Sequence, residues 1–305
     1  DLPLGTRRAA GEPLLGDLWQ PPQGVPPTGL AIVYLHGSTW QAMDKGMLTG
    51  PLFRRLAGQG HLVLDVAYSL APGADLDDMM DDVRQALAWM RVHAAAQGAD
   101  PARIVLMGHS GGGHLALLAA YAPEAGGASP VRGVVSFYGV TDLTAFFLEY
   151  GRAEPRQPVH SSQIGDELHP RVHDATPLDC FLTRARIFPA YRYRNMPGGA
   201  LLLVNLLGGT VHEVPEAYRW GSPLAHVGPH CPPTLQVFGS DDFAIPASHG
   251  RRLHRALQKA GVPSVYVELP EAVHGFDQYF GVSRRIAPAA QVATYDLERF
   301  LALMV

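Results

Sequence analysis

Short β-branched runs that stay apolar along most of their length constrain this chain more than any other feature. They are Ala31–Leu35, Leu62–Tyr68, Ile104–Met107, Val131–Tyr138, Thr234–Phe238 and Val265–Leu269. A strand with one wet face alternates apolar and polar residues. A run apolar throughout belongs to a parallel strand covered on both faces. Parallel neighbours need crossovers, and helical periodicity lies between the runs. Leu76, Met79, Met80, Val83, Leu87 and Met90 recur at three- and four-residue steps, with Asp75, Asp77 and Asp78 in the first turn. The acidic cluster that reaches Asp82 is read as a dipole complement and solvated face. Further helices are expected over Leu52–Gln59, Ser110–Tyr121, Ala247–Ala260 and Ala290–Leu303. The alternation over 31–138, resumed from 234 onward, predicts an α/β chain with a mostly parallel, doubly wound sheet.

The break is the segment 141–230, rich in Arg, His, Pro and aromatic residues. It reads as a helical or irregular cap insertion over the C-terminal edge of the sheet. The 305 residues are therefore expected to form a single domain, a length that α/β folds often reach as one unit. The longest nearly unbroken apolar stretch, Ala200–Leu207, is far short of the roughly 20 residues that span a bilayer. A net charge of −4 offers no general attraction for nucleic acid. Two cysteines, Cys180 and Cys231, cannot make a disulfide framework. Residues 1–20 lack the pattern of a secretory signal. The expectation is a cytoplasmic protein with no membrane or nucleic-acid partner, a processed secreted form and a homo-oligomer both being left open.

Chemistry concentrates where Gly108-His109-Ser110-Gly111-Gly112 joins the run Ile104–Met107 to the helix Leu115–Tyr121. Gly-x-Ser-x-Gly between strand and helix is a nucleophile elbow: a tight turn flanked by small residues exposes the serine hydroxyl. A serine needs a base, and the base needs an orienting acid. In such folds the chain order is Ser, acid, His. His274 follows the last strand run and is the base candidate. The acid is expected after Thr234–Phe238, where Asp241 and Asp242 compete, with Glu268 and Glu271 as minor rivals. The backbone N–H of Gly111, joined by those of Ser38 and Thr39 after the first run, would form the oxyanion hole. His109 and His114 flank the elbow and are expected to bond locally. His249 and His254 lie on an amphipathic helix and read as surface residues. Trp40, His109, Phe146 and Phe147 are expected at the substrate pocket, with Tyr150 nearby. His169, His173 and Asp174, and the cluster Arg184, Arg186, Arg192 and Arg194, read as ordinary polar surface.

These pieces resemble the α/β-hydrolase esterases of the hormone-sensitive-lipase-like group, nearest the feruloyl-esterase-like and kynurenine-formamidase-like branch. The resemblance rests on Tyr34-Leu35-His36-Gly37 with Trp40, Asp65 with Tyr68 and Leu70-Ala71-Pro72, and Asp100-Pro101 with Arg103-Ile104. It continues through Gly108–Ala116, Tyr138-Gly139 with Thr141-Asp142-Leu143, Gly239 with Asp242 and Pro246, and His274-Gly275-Phe276. It implies the α/β-hydrolase fold and a serine carboxylesterase that takes small-molecule esters of short acyl or aryl type, without cofactor or metal. The family pattern Gly-x-x-Asp, with Pro four residues on, implies Asp242 as the acid. Where the family has His-Gly-Gly, Ser38 stands in place of the second glycine. An aryl-formamide amidase or peptidase would use the same triad, and a non-catalytic binding module is the remaining alternative.

Overall fold

The computed structural model describes residues 1–37, 39–46, 48–122, 131–152, 198–278 and 288–305. Eight strands form one sheet: β1 (Leu2–Thr6), β2 (Pro13–Trp19), β3 (Gly29–Leu35), β4 (Leu62–Ala67), β5 (Ala99–His109), β6 (Gly133–Phe137), β7 (Thr234–Gly239) and β8 (Ser264–Leu269). Their spatial order is β1-β2-β4-β3-β5-β6-β7-β8. All pairings from β4 to β8 are parallel, while β1–β2 and β2–β4 are antiparallel. Apart from Gly29 at the start of β3, strands β3, β4, β6 and β7 are buried at every position, as their mostly apolar runs require. β1 and β2 had no counterpart in the sequence pattern. They are partly exposed and punctuated by Gly5, Gly16 and Pro13, so their periodicity is weak.

The described helices are α1 (Gly50–Gly58), α2 (Leu76–His93), α3 (Gly111–Tyr121), α4 (Leu143–Arg152), α5 (Gly198–Leu207), α6 (Pro215–Trp220), α7 (Ser248–Lys259) and α8 (Pro288–Ala302). After β3 the chain passes through α1 to β4 on one side, then through α2 to β5 on the other. The strand order therefore reverses around β3, and a crevice opens at the C-terminal ends of β3 and β5, where open α/β sheets place ligands. No helix among the described residues is long and apolar enough to cross a membrane.

Two polar residues depart from the surface placement their sequence suggested. Asp75 and Asp78 form a reciprocal capping box at the start of α2, consistent with a dipole complement. Asp82, however, is fully buried, and its Oδ2 accepts the Ser69 N–H at 2.7 Å. It lies three residues after Met79 and four before Ala86, on the apolar face of the helix. Burial pushes its pKa above the ordinary carboxylate value. His249 is likewise buried in α7, in line with Leu253 and Leu257 at four-residue steps. Its Nδ1 lies 3.4 Å from the Thr141 hydroxyl, and its Nε2 faces Glu149 of α4. His254, half-buried, bonds the Ser264 hydroxyl as a partly surface residue would.

Candidate active site

Ser110 sits at φ +50° between β5 and α3, a conformation L-residues adopt only under constraint. Its N–H donates to the Phe137 carbonyl at 2.9 Å, and its own carbonyl accepts the His114 N–H at 2.9 Å. The neighbouring glycines are steric necessities. A Cβ on Gly108 would lie 2.3 Å from the Gly112 carbonyl oxygen, and one on Gly112 would lie 2.1 Å from that of Leu35. The turn can therefore close against β3 only with glycine at both positions.

The Ser110 hydroxyl lies 3.1 Å from His274 Nε2, and His274 Nδ1 lies 2.8 Å from Asp242 Oδ2. A carboxylate oxygen accepts, so Nδ1 carries the proton and Nε2 presents its lone pair to the serine. The Asp242 side chain is 0 % exposed. Its Oδ1 accepts the N–H groups of Ala244 and Ile245 at 2.8 and 2.7 Å, which fixes the carboxylate plane. Asp241 is exposed, and its Oδ1 accepts the Ser240 hydroxyl. Glu268 is engaged by Arg251 and Tyr266, and Glu271 is exposed. The geometry thus brings together Ser110, His274 and Asp242, at the ends of β5, β8 and β7.

The loop after β3 packs beside the elbow. A Cβ on Gly37 would sit 3.4 Å from Ser110 Cβ, and one on Gly111 would sit 3.2 Å from the Trp40 nitrogen. Thr39 and Trp40 adopt φ of +52° and +62°. Ser38 lies outside the described residues, as do Cys180, the 169–174 cluster and the four arginines of 184–194. Cys231 carries a free, buried thiol.

All four residues expected at the pocket are buried. Trp40 is buried, and its indole N–H donates to His114 Nδ1 at 3.1 Å. His109 is buried with both ring nitrogens engaged, Nδ1 with the Tyr34 hydroxyl at 2.8 Å and Nε2 with Asp277. Phe146 packs edge-on against His249, and Phe147 against Tyr218. The Tyr150 side chain lies outside the described residues. The exposed apolar groups beside the triad are Phe243, 65 % exposed with its ring 6.4 Å from that of His274, and Val273.

Asp277 escaped the sequence reading altogether. It lies three residues beyond His274, buried, and accepts the Tyr138 hydroxyl at 2.6 Å as well as His109 Nε2–H. Burial alone pushes this carboxyl up, but attraction to His109 and the hydrogen bonds from His109 and Tyr138 outweigh it and hold the pKa below the usual carboxylate value. The Tyr138 ring lies 4.5 Å from that of His274. A buried polar chain Tyr34–His109–Asp277–Tyr138 thus ties the histidine loop to β3, β5 and β6. Its only sequence signal is a carboxylate close to the base; its partner His109 is 168 residues away.

A family model described as BD-FAE matches residues 17–178. Esterase LipQ of Mycobacterium tuberculosis (strain ATCC 25618 / H37Rv) is 27% identical over 300 residues, covering 95% of this chain and 60% of that protein. Probable carboxylic ester hydrolase LipM of the same organism is 27% identical over 296 residues, covering 94% and 57%. The chain thus spans about 60% of the length of these relatives. Among solved structures, the propionate-bound esterase Est2 of the Planctomycetes species Thermogutta terrifontis superposes with a TM-score of 0.69 at 23% identity, covering 99% of this chain and 93% of that one.

Proposed function

Since this chain belongs to the BD-FAE family and has the α/β-hydrolase fold, we propose that it is a serine carboxylic-ester hydrolase acting on small, short-acyl or aryl esters. The observation that carries the reading is the continuous hydrogen-bonded chain from the Ser110 hydroxyl through His274 to Asp242. Ser110 Oγ attacks the ester carbonyl carbon while His274 Nε2 takes the hydroxyl proton. Asp242 holds the imidazole and stabilises the imidazolium that forms. The tetrahedral oxyanion is met by the Gly111 N–H at the start of α3 and by the Thr39 N–H. His274 then returns its proton to the departing alkoxide, which leaves as alcohol. Water attacks the acyl-enzyme with His274 again as base, and the acid is released with Ser110 restored. The cycle draws only on these groups and water.

The names of LipQ and LipM and the propionate held by the Thermogutta enzyme support an ester substrate with a short acyl part. We read the segment 141–230 as a cap on a single domain. Gln41 Nε2 donates to the Leu202 carbonyl of α5 at 3.1 Å, and His114 Nε2 to the Gly221 carbonyl after α6 at 2.7 Å. The first contact joins this segment to the loop after β3, the second to α3 one turn beyond Ser110.

The test pairs p-nitrophenyl acetate and butyrate with a matched p-nitroanilide, for the unmodified protein and for Ser110→Ala. Ester turnover and fluorophosphonate labelling that both vanish in Ser110→Ala are expected. Preferential anilide cleavage would move the assignment to amidase, and turnover surviving the substitution would overturn the serine mechanism.

A further inference from the structure

Thr39 and Trp40 are consecutive non-glycine residues in the left-handed region. A β-branched and a bulky residue both disfavour it, so surrounding contacts must hold them there. Two contacts do so for Trp40: its carbonyl accepts the Ala71 N–H at 2.8 Å, and its indole N–H donates to His114 Nδ1 at 3.1 Å. The indole and imidazole meet edge-on, at 5.3 Å and 89°, and both are buried.

The second contact works for one form of His114 only. The Gly221 carbonyl can only accept, so the 2.7 Å contact places the proton on Nε2. Nδ1 is then a bare lone pair, the one arrangement that receives an indole N–H. An imidazolium would set N–H against N–H. Burial pushes the His114 pKa down to about 4, so the neutral form is the working one.

We propose that His114 is a positioning residue for the oxyanion hole: fixed in its Nε2–H tautomer by the Gly221 carbonyl, it anchors Trp40, holds the Thr39–Trp40 peptide against Gly111 and thereby fixes the orientation of the adjoining Thr39 N–H. The Trp40 nitrogen lies 3.2 Å from where a Gly111 Cβ would be, so a shift of the indole moves this peptide relative to the elbow. The proposal rests on the esterase reading above. It gives the cap segment a part in catalysis that touches no substrate: the carbonyl at the end of α6 sets a tautomer, and the tautomer sets a loop.

An oxyanion hole acts on the transition state more than on bound substrate, which shapes the test. Trp40→Phe keeps the ring and loses the donor. His114→Leu loses the acceptor. His114→Asn keeps an acceptor, because Oδ1 stands near the place of Nδ1. For p-nitrophenyl butyrate, kcat should fall roughly 10- to 100-fold in Trp40→Phe and in His114→Leu, with KM within about threefold. His114→Asn should recover most of the loss. A trifluoromethyl ketone, whose hemiketal oxygen occupies the oxyanion position, should lose affinity in parallel with kcat/KM. The double variant Trp40→Phe/His114→Leu should be no slower than the worse single one. Losses that multiply in the double variant, or inhibitor affinity unchanged while kcat falls, would overturn the proposal. If His114→Leu does not fold, Trp40→Phe and His114→Asn decide the matter through the inhibitor. Absence of ester turnover and of fluorophosphonate labelling in the unmodified protein would count against the esterase reading itself. Normal turnover there with unaltered variants would count against His114 alone.

Discussion

Asp241 and Asp242 share a charge, a loop and a reach, and only their surroundings separate them. Asp242 is sealed from solvent with two backbone donors on Oδ1 and His274 on Oδ2, while Asp241 faces water. In Asp242→Asn the amide would present N–H to His274 Nδ1 and favour the tautomer that places a proton toward Ser110. A fall in kcat of about 10⁴ is expected, against less than about twofold for Asp241→Asn. Steady-state kinetics on one ester compares them, and the reverse ranking would reassign the acid. Asp277 makes a different prediction, because it braces the fold around the site. Asp277→Ala strands His109 Nε2–H and the Tyr138 hydroxyl in a buried place, at about 2–4 kcal/mol in urea unfolding at pH 7. Its folded pKa lies below the ordinary aspartate value of 3.8. Its contribution is therefore present above that value and is lost as pH falls through the folded pKa. The gap between variant and parent should narrow below about pH 4.

At the scale of elements, backbone approach and helix capping differ sharply in cost. The start of α3 meets the end of β3 so closely that Gly112→Ala drives a methyl group into the Leu35 carbonyl. Loss of more than about 4 kcal/mol, or no soluble protein, is expected. Asp75→Ala, which opens the capping box of α2, should cost only about 1 kcal/mol. Denaturant midpoints rank the two, and a mild effect at Gly112 would mean the elbow is looser than its contacts indicate. The helices flanking the sheet were legible because one face of each is apolar at helical spacing. That same spacing already placed Asp82 and His249 on buried faces; residue polarity argued otherwise and prevailed in the reading. α4, α5 and α6 were not separately legible. The α5 sequence, Gly198–Leu207, is nearly uniform in hydrophobicity and has no period to read.

For the molecule as a whole, Asp65 links stability to pH. It is fully buried on β4, accepts the Gly46 N–H at 2.6 Å, and has no partner for Oδ1 among the described residues. Burial pushes its pKa up to about 7, well above the 3.8 of the free side chain. The folded state thus binds this proton more tightly than the unfolded chain. Stability should be lost as pH rises from about 4 through 7. Asp65→Asn removes the buried charge while its Oδ1 still accepts the Gly46 N–H. It should be more stable than the parent at pH 8, on the order of 1–3 kcal/mol, with the advantage gone near pH 4. Thermal unfolding across that range measures it, and an advantage independent of pH would refute the buried charge. Substrate size also belongs to this scale. The cap reading predicts that butyrate esters outpace palmitate esters, each methylene adding about 0.8 kcal/mol of burial at most until a wall is met. A palmitate preference with activation at an oil–water interface would make the segment a lid.

Local pattern was enough for the parallel core, the strand–helix alternation and the elbow. Burial recurs with the period of each element, and a tight strand-to-helix turn demands glycine at set positions, so both are written into neighbouring residues. Ser110 and His274, candidates because they follow strand ends in order, lie 3.1 Å apart in the structure. What only the tertiary structure decided are the meetings between distant polar groups. Asp242 rather than Asp241 faces His274 because of how the β7 loop closes on Ala244 and Ile245. His109 meets Asp277 because β5 lies beside β6 under the loop after β8. Trp40 meets His114 because α3 runs beside the loop after β3. Such contacts depend on strand order and register, and on directional hydrogen bonds across tens to hundreds of residues, which no local period encodes.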